Sequence, residues 1–160
     1  MADRTGTPRA IWAFTEHEHR ELARGIDRIH DVACGIGGWV EPDLSGHLLE
    51  ILGWLDRDLE PHVAWEESWL YPQIEARTGS PWVTRFARFD HHQIREMAAR
   101  VGADQQALHG EGASTHLLEL KCHLFGLEAL LRAHLEREER YLIPLLEDET
   151  ASTVPATTGR

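Results

Sequence analysis

Two stretches of this sequence carry the same pattern of residues. Residues 61–72 read PHVAWEESWLYP, and residues 133–144 read AHLEREERYLIP. Each has a histidine, then two adjacent glutamates four and five residues later, and then a proline five residues after the second glutamate. Both copies lie in stretches whose apolar residues recur at helical spacing, so the repeated pattern predicts two related helices.

The similarity extends along the chain at one fixed shift of 72 residues, the shift that carries His62 onto His134. Of the 11 histidines, only this pair and the pair His19 and His91 are related by the shift. It also relates leucines at helical spacing, namely Leu52 with Leu124, Leu55 with Leu127 and Leu59 with Leu131. The shift therefore indicates two copies of one αα-hairpin.

Prolines, glycines and capping residues divide the chain into four long helical stretches. The first begins at Pro8, and the second contains Pro61, where we expect a kink or a fresh helix start. The third is predicted to begin at Pro81 with Ser80 as its cap, and the fourth to run over residues 115–148. No stretch alternates at the period of a strand.

Four helices with short connections predict an all-α fold, an up-down-up-down four-helix bundle made of two pseudo-repeated αα-hairpins. At 160 residues the chain is predicted to form one domain. We expect residues 1–9 to lead into the bundle and residues 10–148 to form it. Residues 149–160 are expected to be a disordered tail, because they contain little apolar surface.

The composition argues against several functional classes. Lys and Arg number 16 against 27 Asp and Glu, a formal net charge of −11 that does not suit a nucleic-acid surface. No apolar run approaches the roughly 20 residues of a membrane span, and the N-terminus does not resemble a signal peptide. Two cysteines, Cys34 and Cys122, form no disulfide framework, so we expect a cytoplasmic protein.

The repeated histidines and glutamates predict a metal site. Helical residues four apart point the same way, about 6 Å from each other, so each histidine shares a face with the first glutamate that follows it. In a bundle these groups converge with the histidines of the other two helices, and two buried carboxylates without cations are costly. Two divalent metals, each with two histidines and bridged by both glutamates, remove that cost. The predicted ligands are His19, His62, Glu66, His91, His134 and Glu138.

Some choices stay open at this point. His17 and His92 adjoin the repeated histidines, and either remains an alternative ligand. Glu67 and Glu139 follow the repeated glutamates, and they are either hydrogen-bond partners of the ligands or occasional ligands themselves, or else surface groups. Six protein ligands do not fill two octahedral metal ions, so open positions remain for a small ligand.

These motifs resemble those of the hemerythrin-like, or HHE cation-binding, domains. Besides the two stretches quoted above, the matching segments are EHREL at residues 18–22 and FDHHQI at residues 89–94. The resemblance covers residues 11–147 and implies a four-helix bundle around a non-haem di-iron centre, oxo- or hydroxo-bridged and held by the six predicted ligands. Zinc and manganese are substitutes that the same ligand types accept.

The sequence departs from the oxygen carriers of that family at two positions. Those carriers have a further histidine one turn after the third-helix ligand, where this chain has Arg95. From the helical spacing we expect the side chain of Arg95 to point into the bundle. Their last carboxylate is spaced one residue wider, at the position of Glu139 in this chain. Because the fifth histidine is missing, reversible carriage of O₂ is disfavoured.

The resemblance implies a protein that binds or turns over a small oxygen species, namely O₂, peroxide or nitric oxide, in oxidative or nitrosative defence or sensing. Iron storage or delivery and a metal-stapled interaction module are the alternatives. The sequence leaves open whether the protein is an enzyme that handles peroxide or nitric oxide. We expect no nucleic-acid or membrane partner and a monomer or weak dimer, while a protein partner remains open.

Two histidines outside the repeat are predicted to lie at one level of the bundle. His30 lies 11 residues after His19, and His123 lies 11 residues before His134, so both steps lead to the same height on neighbouring helices. We expect either a buried pair that shares a hydrogen bond or water, or a second metal or redox site with Cys34 nearby.

Overall fold

The computed structural model describes residues 8–38, 41–108 and 113–146. Those residues are helical apart from short turns, and no strand occurs among them. The α-helices within these ranges are α1 (Pro8–Gly35), α2 (Glu41–Trp54), α3 (Glu60–Trp65), α4 (Tyr71–Thr78), α5 (Arg85–Ala107) and α6 (Ala113–Arg137). The predicted tail at residues 149–160 lies outside the described residues.

Three π-helical turns and one 3₁₀ turn connect or extend the α-helices without a break. The π turns Leu55–Leu59 and Glu66–Leu70 join α2, α3 and α4 into one long rod. A third π turn, Glu138–Leu142, and the 3₁₀ turn Ile143–Leu146 extend α6. The described part of the chain therefore has four long helical rods, and they form a helical bundle.

Each π turn ends two residues before a proline. Proline lacks an N–H group, and in an α-helix its ring collides with the carbonyl four residues back. In all three turns, the residue before the proline donates its N–H to the carbonyl five residues back, which widens the helix at that point. These donors and acceptors are Glu60 and Leu55, Tyr71 and Glu66, and Ile143 and Glu138. At Pro61, where a kink or a fresh helix start was expected, the helix continues through a π turn, and α3 follows from Glu60 without a break.

The third rod begins later than predicted. The helix α5 starts at Arg85, so the predicted start at Pro81 is wrong. The Ser80 hydroxyl accepts a hydrogen bond from the N–H of Trp82 at 3.3 Å, and Ser80 thereby stabilises a turn instead of capping a helix. Gly79, with φ of 66°, ends α4 in the left-handed conformation that glycine adopts at little cost.

The apolar interior has two parts with the polar residues between them. The larger cluster includes Leu22, Val63, Ile94 and Leu135, and the smaller cluster includes Ile11, Trp65, Ala87 and Leu142. Along α1 and α5 the buried histidines fall between the residues of the two clusters. The helix α6 packs against α1 and α5, and α2 also contacts α1 and α5. None of the described helices has the length and apolar character that crossing a bilayer requires.

Candidate metal centre

The structure brings all six predicted ligands together. His19, His62, Glu66 and Glu138 offer ligand atoms that lie within 4.8 Å of one another. A second group with the same spacing consists of His91 and His134 with the same two glutamates. All six residues are buried. Two cation positions with shared carboxylates are therefore compatible with the arrangement.

Glu66 lies between the two pairs of histidines. Its Oε1 atom is 2.9 Å from Nε2 of His62 and 3.8 Å from Nε2 of His19. Its Oε2 atom is 3.2 Å from Nε2 of His91 and 4.0 Å from Nε2 of His134. The two oxygens of one carboxylate thus face different histidine pairs, which is the geometry of a bridging ligand.

Glu138 approaches the histidines with one oxygen. Its Oε2 atom is 3.5 Å from Nε2 of His19 and 3.5 Å from Nε2 of His134. The imidazoles of His91 and His134 also point toward each other, with their Nε2 atoms 3.0 Å apart. Glu138 therefore contacts one histidine from each group.

The six predicted ligands form a polar layer between the two apolar clusters, and several of their buried atoms lack hydrogen bonds. Those atoms indicate whether the layer fits metal ions. In the described structure, no hydrogen bond reaches Nε2 of His19, Nε2 of His62, either carboxylate oxygen of Glu66 or Oε2 of Glu138. A buried polar atom without a partner is destabilising by about 1–3 kcal/mol, so native proteins leave few of them. These atoms all belong to the inward ends of the side chains. Their chemistry, imidazole nitrogen and carboxylate oxygen, fits divalent iron, zinc or manganese.

The alternative histidines do not join this layer. His17 is exposed on α1. His92 is also exposed, and its Nε2 atom lies 3.4 Å from Glu96, one turn along α5. Of each neighbouring pair, the residue that obeys the 72-residue shift is the buried one.

Glu67 and Glu139 support the histidines from behind. Nδ1 of His91 lies 2.8 Å from Oε1 of Glu67, and Nδ1 of His19 lies 3.0 Å from Oε1 of Glu139. The 72-residue shift relates His19 to His91 and Glu67 to Glu139, so each pair corresponds to the other. The repeat therefore includes the carboxylates that contact the predicted ligands. A carboxylate at Nδ1 fixes the ring orientation and keeps Nε2 free to bind a cation.

Asp90 takes the same role at His134. Its Oδ2 atom lies 3.6 Å from Nδ1 of His134, which is an electrostatic contact longer than a hydrogen bond. Nε of Arg137 donates to the same oxygen at 3.1 Å. Burial would raise the pKa of Asp90, but its contacts with His134 and Arg137 lower that pKa below its usual value.

Without a bound cation, the histidines and carboxylates of the layer perturb one another. Burial lowers the pKa of His19, yet the contacts with Glu138 and Glu139 outweigh burial and hold that pKa well above 6.5. Burial also opposes protonation of His134, but the charge of Glu138 raises its pKa. For Glu66, burial alone would raise the pKa, and the surrounding imidazoles instead hold it well below 4.5. Without a cation, the carboxylates of the layer therefore favour the protonated forms of His19 and His134.

Tyr71 is a member of the layer that sequence reasoning missed. It is completely buried, its hydroxyl donates to Oε1 of Glu138, and that hydroxyl also lies 3.2 Å from Nε2 of His91. Burial and the negative charge of Glu138 raise the pKa of Tyr71 above its usual range. The shift of 72 residues carries Tyr71 onto Ile143, so a search for repeated residues passes over it.

Comparison with known families agrees with this geometry. A family model described as the hemerythrin HHE cation binding domain matches residues 10–146. The chain belongs to this family. The hemerythrin HHE domain is a cation-binding domain, and the buried histidine and glutamate cluster provides the groups for it. This hemerythrin-like protein has no significant match among curated proteins or among solved structures.

Arg95 of this hemerythrin-like protein does not point into the centre, and the inward orientation expected from helical spacing is wrong. Its side chain is 43% exposed. The guanidinium binds Glu60 through Nε at 3.1 Å and Nη2 at 2.7 Å, and its Nη1 lies 3.3 Å from Oε1 of Glu67. Arg95 therefore holds the carboxylate behind His91 in place, at the position where the family's oxygen carriers have a histidine.

His30 and His123 have separate partners in the hemerythrin-like bundle. Nδ1 of His30 lies 3.0 Å from Glu128, and its side chain is 48% exposed. Nδ1 of His123 lies 2.6 Å from Asp104 on α5. The expected buried pair is therefore wrong, because each ring turns to a carboxylate on a different neighbouring helix. Neither histidine belongs to a cluster that could hold a metal among the described residues.

Changing Glu139 to glutamine tests the role of the carboxylates behind the histidines. We expect metal affinity to fall by about 10–100-fold, because Nδ1 of His19 loses its charged partner while the ligand itself remains. Competition with a chelator of known affinity measures the change. The exposed Glu136, one turn earlier on the same rod and changed to glutamine, is the matched control and should leave affinity unchanged. Equal affinities of the two variants would show that the contact to Glu139 does not support binding.

Proposed function

We propose that this hemerythrin-like protein holds two iron ions and uses them to bind or turn over O₂, peroxide or nitric oxide in oxidative or nitrosative defence or sensing. The observation that carries the proposal is the position of Glu66, which is completely buried and directs each of its oxygens to a different pair of histidines. A bridging carboxylate in a mixed histidine and carboxylate set favours two cations over one. The proposed ligands are His19, His62, Glu66, His91, His134 and Glu138.

The side chains around the centre give each ligand a fixed orientation. Glu139 and Glu67 contact Nδ1 of His19 and His91 and thereby fix the orientation of the two rings. The hydroxyl of Tyr71 donates a hydrogen bond to Oε1 of Glu138. The apolar clusters above and below limit the access of water to the layer. Bound iron would supply the electrons that a small oxygen species needs. Six protein ligands leave room for such a species at two octahedral ions.

The order of the rods is part of this proposal. We infer an up-down-up-down arrangement of two repeated hairpins, with α1 and the α2–α4 rod as one hairpin and α5 and α6 as the other. The contacts of α6 with both α1 and α5 support it, because a square of antiparallel neighbours requires those pairs. The exchange of the pairs His19–Glu139 and His91–Glu67 by the shift supports the hairpin repeat.

Metal analysis followed by peroxide treatment tests the function. We expect about two iron ions per chain in the protein purified from iron-supplied cells, and we expect the reduced protein to react with peroxide. Repeated turnover supports an enzyme, and a single stoichiometric oxidation with iron retained supports a binder or sensor. The zinc-loaded protein is the matched control, because zinc has no redox chemistry. Release of the iron would favour storage or delivery instead, and a reduced iron-loaded protein inert to O₂, peroxide and nitric oxide would contradict the proposal.

A further inference from the structure

One exposed cysteine of the bundle contacts a histidine outside the metal centre. Cys34 lies one turn after His30 on α1, and its Sγ atom is 3.5 Å from Nε2 of that ring. Nδ1 of His30 lies 3.0 Å from Oε2 of Glu128 on α6. The three side chains therefore form a series from a thiol, through an imidazole, to a carboxylate.

Glu128 determines which nitrogen of the His30 ring carries the proton. An ionised carboxylate only accepts hydrogen bonds, so Nδ1 is the N–H group that donates to Glu128. In the neutral ring Nε2 is then an acceptor, and it faces the sulfur of Cys34. A thiol, a base within reach of its proton and a third group that orients the base are the parts of an activated cysteine nucleophile.

Further contacts hold the carboxylate and the ring in place. Nε of Arg132 donates to Oε1 of Glu128 at 2.9 Å, and Nη2 of Arg132 donates to Oδ1 of Asp27 at 2.7 Å. Burial would raise the pKa of Glu128, but its contacts with Arg132 and His30 lower that pKa below its usual value, so the carboxylate is ionised at neutral pH. The ring of Phe125 packs edge-on against His30, with the ring centroids 5.8 Å apart.

This series of side chains is separate from the metal centre. His30 follows His19 by 11 residues, which corresponds to roughly 16 Å along a helix. The 72-residue shift that relates the metal ligands carries His30 onto Gly102 and Cys34 onto Gln106, so the second hairpin has neither group. The contacts of Cys34 therefore do not follow from the repeated metal-binding pattern.

The second cysteine provides a comparison within the same chain. Cys122 is exposed, as Cys34 is. The adjacent His123 contacts Asp104 instead, with 2.6 Å between Nδ1 and Oδ2. Among the residues that the structure describes, a hydrogen bond between a thiol and an imidazole occurs only at Cys34. The two thiols therefore share access to solvent and differ in having a base at the sulfur.

We propose that Cys34 is a nucleophilic thiol that hydrogen peroxide oxidises to a sulfenic acid. Nε2 of His30 takes the thiol proton while the sulfur attacks one oxygen of the peroxide. The S–O bond forms as the O–O bond breaks, and the leaving hydroxide takes the proton from His30 to become water. Sulfur is oxidised and the peroxide is reduced, so one thiol and one peroxide give one sulfenic acid and one water. No step passes through the metal centre, so the inference goes beyond the proposed function and does not depend on it.

Trapping of the sulfenic acid with dimedone during peroxide treatment tests the proposal. The zinc-loaded protein is used, because zinc has no redox chemistry. We expect dimedone to label Cys34 at least about ten-fold faster than Cys122, since a positioned base accelerates reactions in enzymes by about 10²–10⁴-fold. Mass spectrometry of the digested protein measures both rates in one sample. Equal rates at the two cysteines overturn the proposal.

Substitution of the base separates its chemical role from a structural one. His30→Gln should slow the labelling of Cys34 by about ten-fold and leave that of Cys122 unchanged, because the base is lost while the thiol stays exposed. Glu128→Gln should slow it by a smaller factor, since the amide oxygen still accepts the hydrogen bond of Nδ1 but carries no charge. His47→Gln, at a histidine on the surface of α2, is the matched control and should change neither rate. An unchanged rate at Cys34 in His30→Gln, or equal changes at both cysteines, overturns the proposal.

Alkylation with iodoacetamide checks the nucleophilicity of Cys34 without an oxidant. The sulfur forms a bond to the methylene carbon, iodide leaves, and the thiol proton passes to His30. We expect Cys34 again to react faster than Cys122, and His30→Gln to remove the difference. Equal alkylation of the two cysteines in the unsubstituted protein would show that His30 does not activate the thiol, and it overturns the proposal.

Discussion

In the His62→Ala variant we expect at least one metal ion per chain to be lost and the free energy of unfolding to fall by about 3–5 kcal/mol. His62 contributes the Nε2 atom closest to Glu66, at 2.9 Å, and Glu66 is completely buried. Alanine leaves this carboxylate inside the bundle with less positive charge around it, and it leaves a cavity as well. Elemental analysis measures the metal content, and denaturant unfolding measures the stability.

A histidine on the surface provides the control for that variant. His47 is 43% exposed and lies 4.0 Å from Glu50 on the same helix. We expect His47→Ala to keep the full metal content and to change stability by no more than about 0.5 kcal/mol. His109, a second histidine outside the repeat, lies outside the described residues. Full metal content and unchanged stability in His62→Ala would show that the assignment of the ligands is wrong.

Removing the metal should reverse the way in which stability depends on pH. We expect the metal-free protein to lose stability as the pH rises above about 6.5, whereas the metal-loaded protein gains stability over the same range because fewer protons compete for its ligands. With free metal at about 1,000 times its dissociation constant, the loaded protein is more stable by about 4 kcal/mol. Thermal unfolding of both forms between pH 5 and pH 8 measures the two trends.

The direction in which the stability of the metal-free protein changes with pH follows from the pKa shifts of two histidines and one carboxylate of the layer. The pKa values of His19 and His134 are raised on folding, so their contribution is complete below the unfolded value of 6.5 and is lost as the pH rises through the folded values. The pKa of Glu66 is depressed, so its contribution is present above the unfolded value of 4.5 and is lost on acidification. The metal-free protein should therefore be most stable between those two values. A metal-free protein that becomes more stable between pH 6.5 and pH 8 would contradict this account.

The central layer was predictable because its signals are local and repeated. A histidine and a glutamate four residues apart share a helix face independently of the tertiary structure. The shift of 72 residues then distinguishes His19 and His91 from the histidines next to them. Exposed positions of His17 and His92 agree with that selection. The number and identity of the metals do not follow from spacing alone, because imidazole and carboxylate accept several cations.

Contacts between helices were harder to predict, because they depend on the rotation of each rod about its axis. Arg95 lies one turn after His91, but its long side chain turns to Glu60 on the neighbouring rod. His30 and His123 turn to carboxylates on different helices for the same reason. Tyr71 stands outside the repeat and follows the π turn that begins at Glu66, and no period read from the sequence places its hydroxyl at Glu138.

The π turns also affect how this chain should be compared with its relatives. Each contains one residue more than an α-helix of the same span, so every residue beyond it is rotated by about 100°. Each is geometrically equivalent to one extra residue in the middle of a helix, and two of the three begin at Glu66 and Glu138. A relative without such a turn would align with this chain only through a gap inside the helix. An alignment that forbids gaps there would match the glutamates correctly and misplace Tyr71 and Leu142, which follow them.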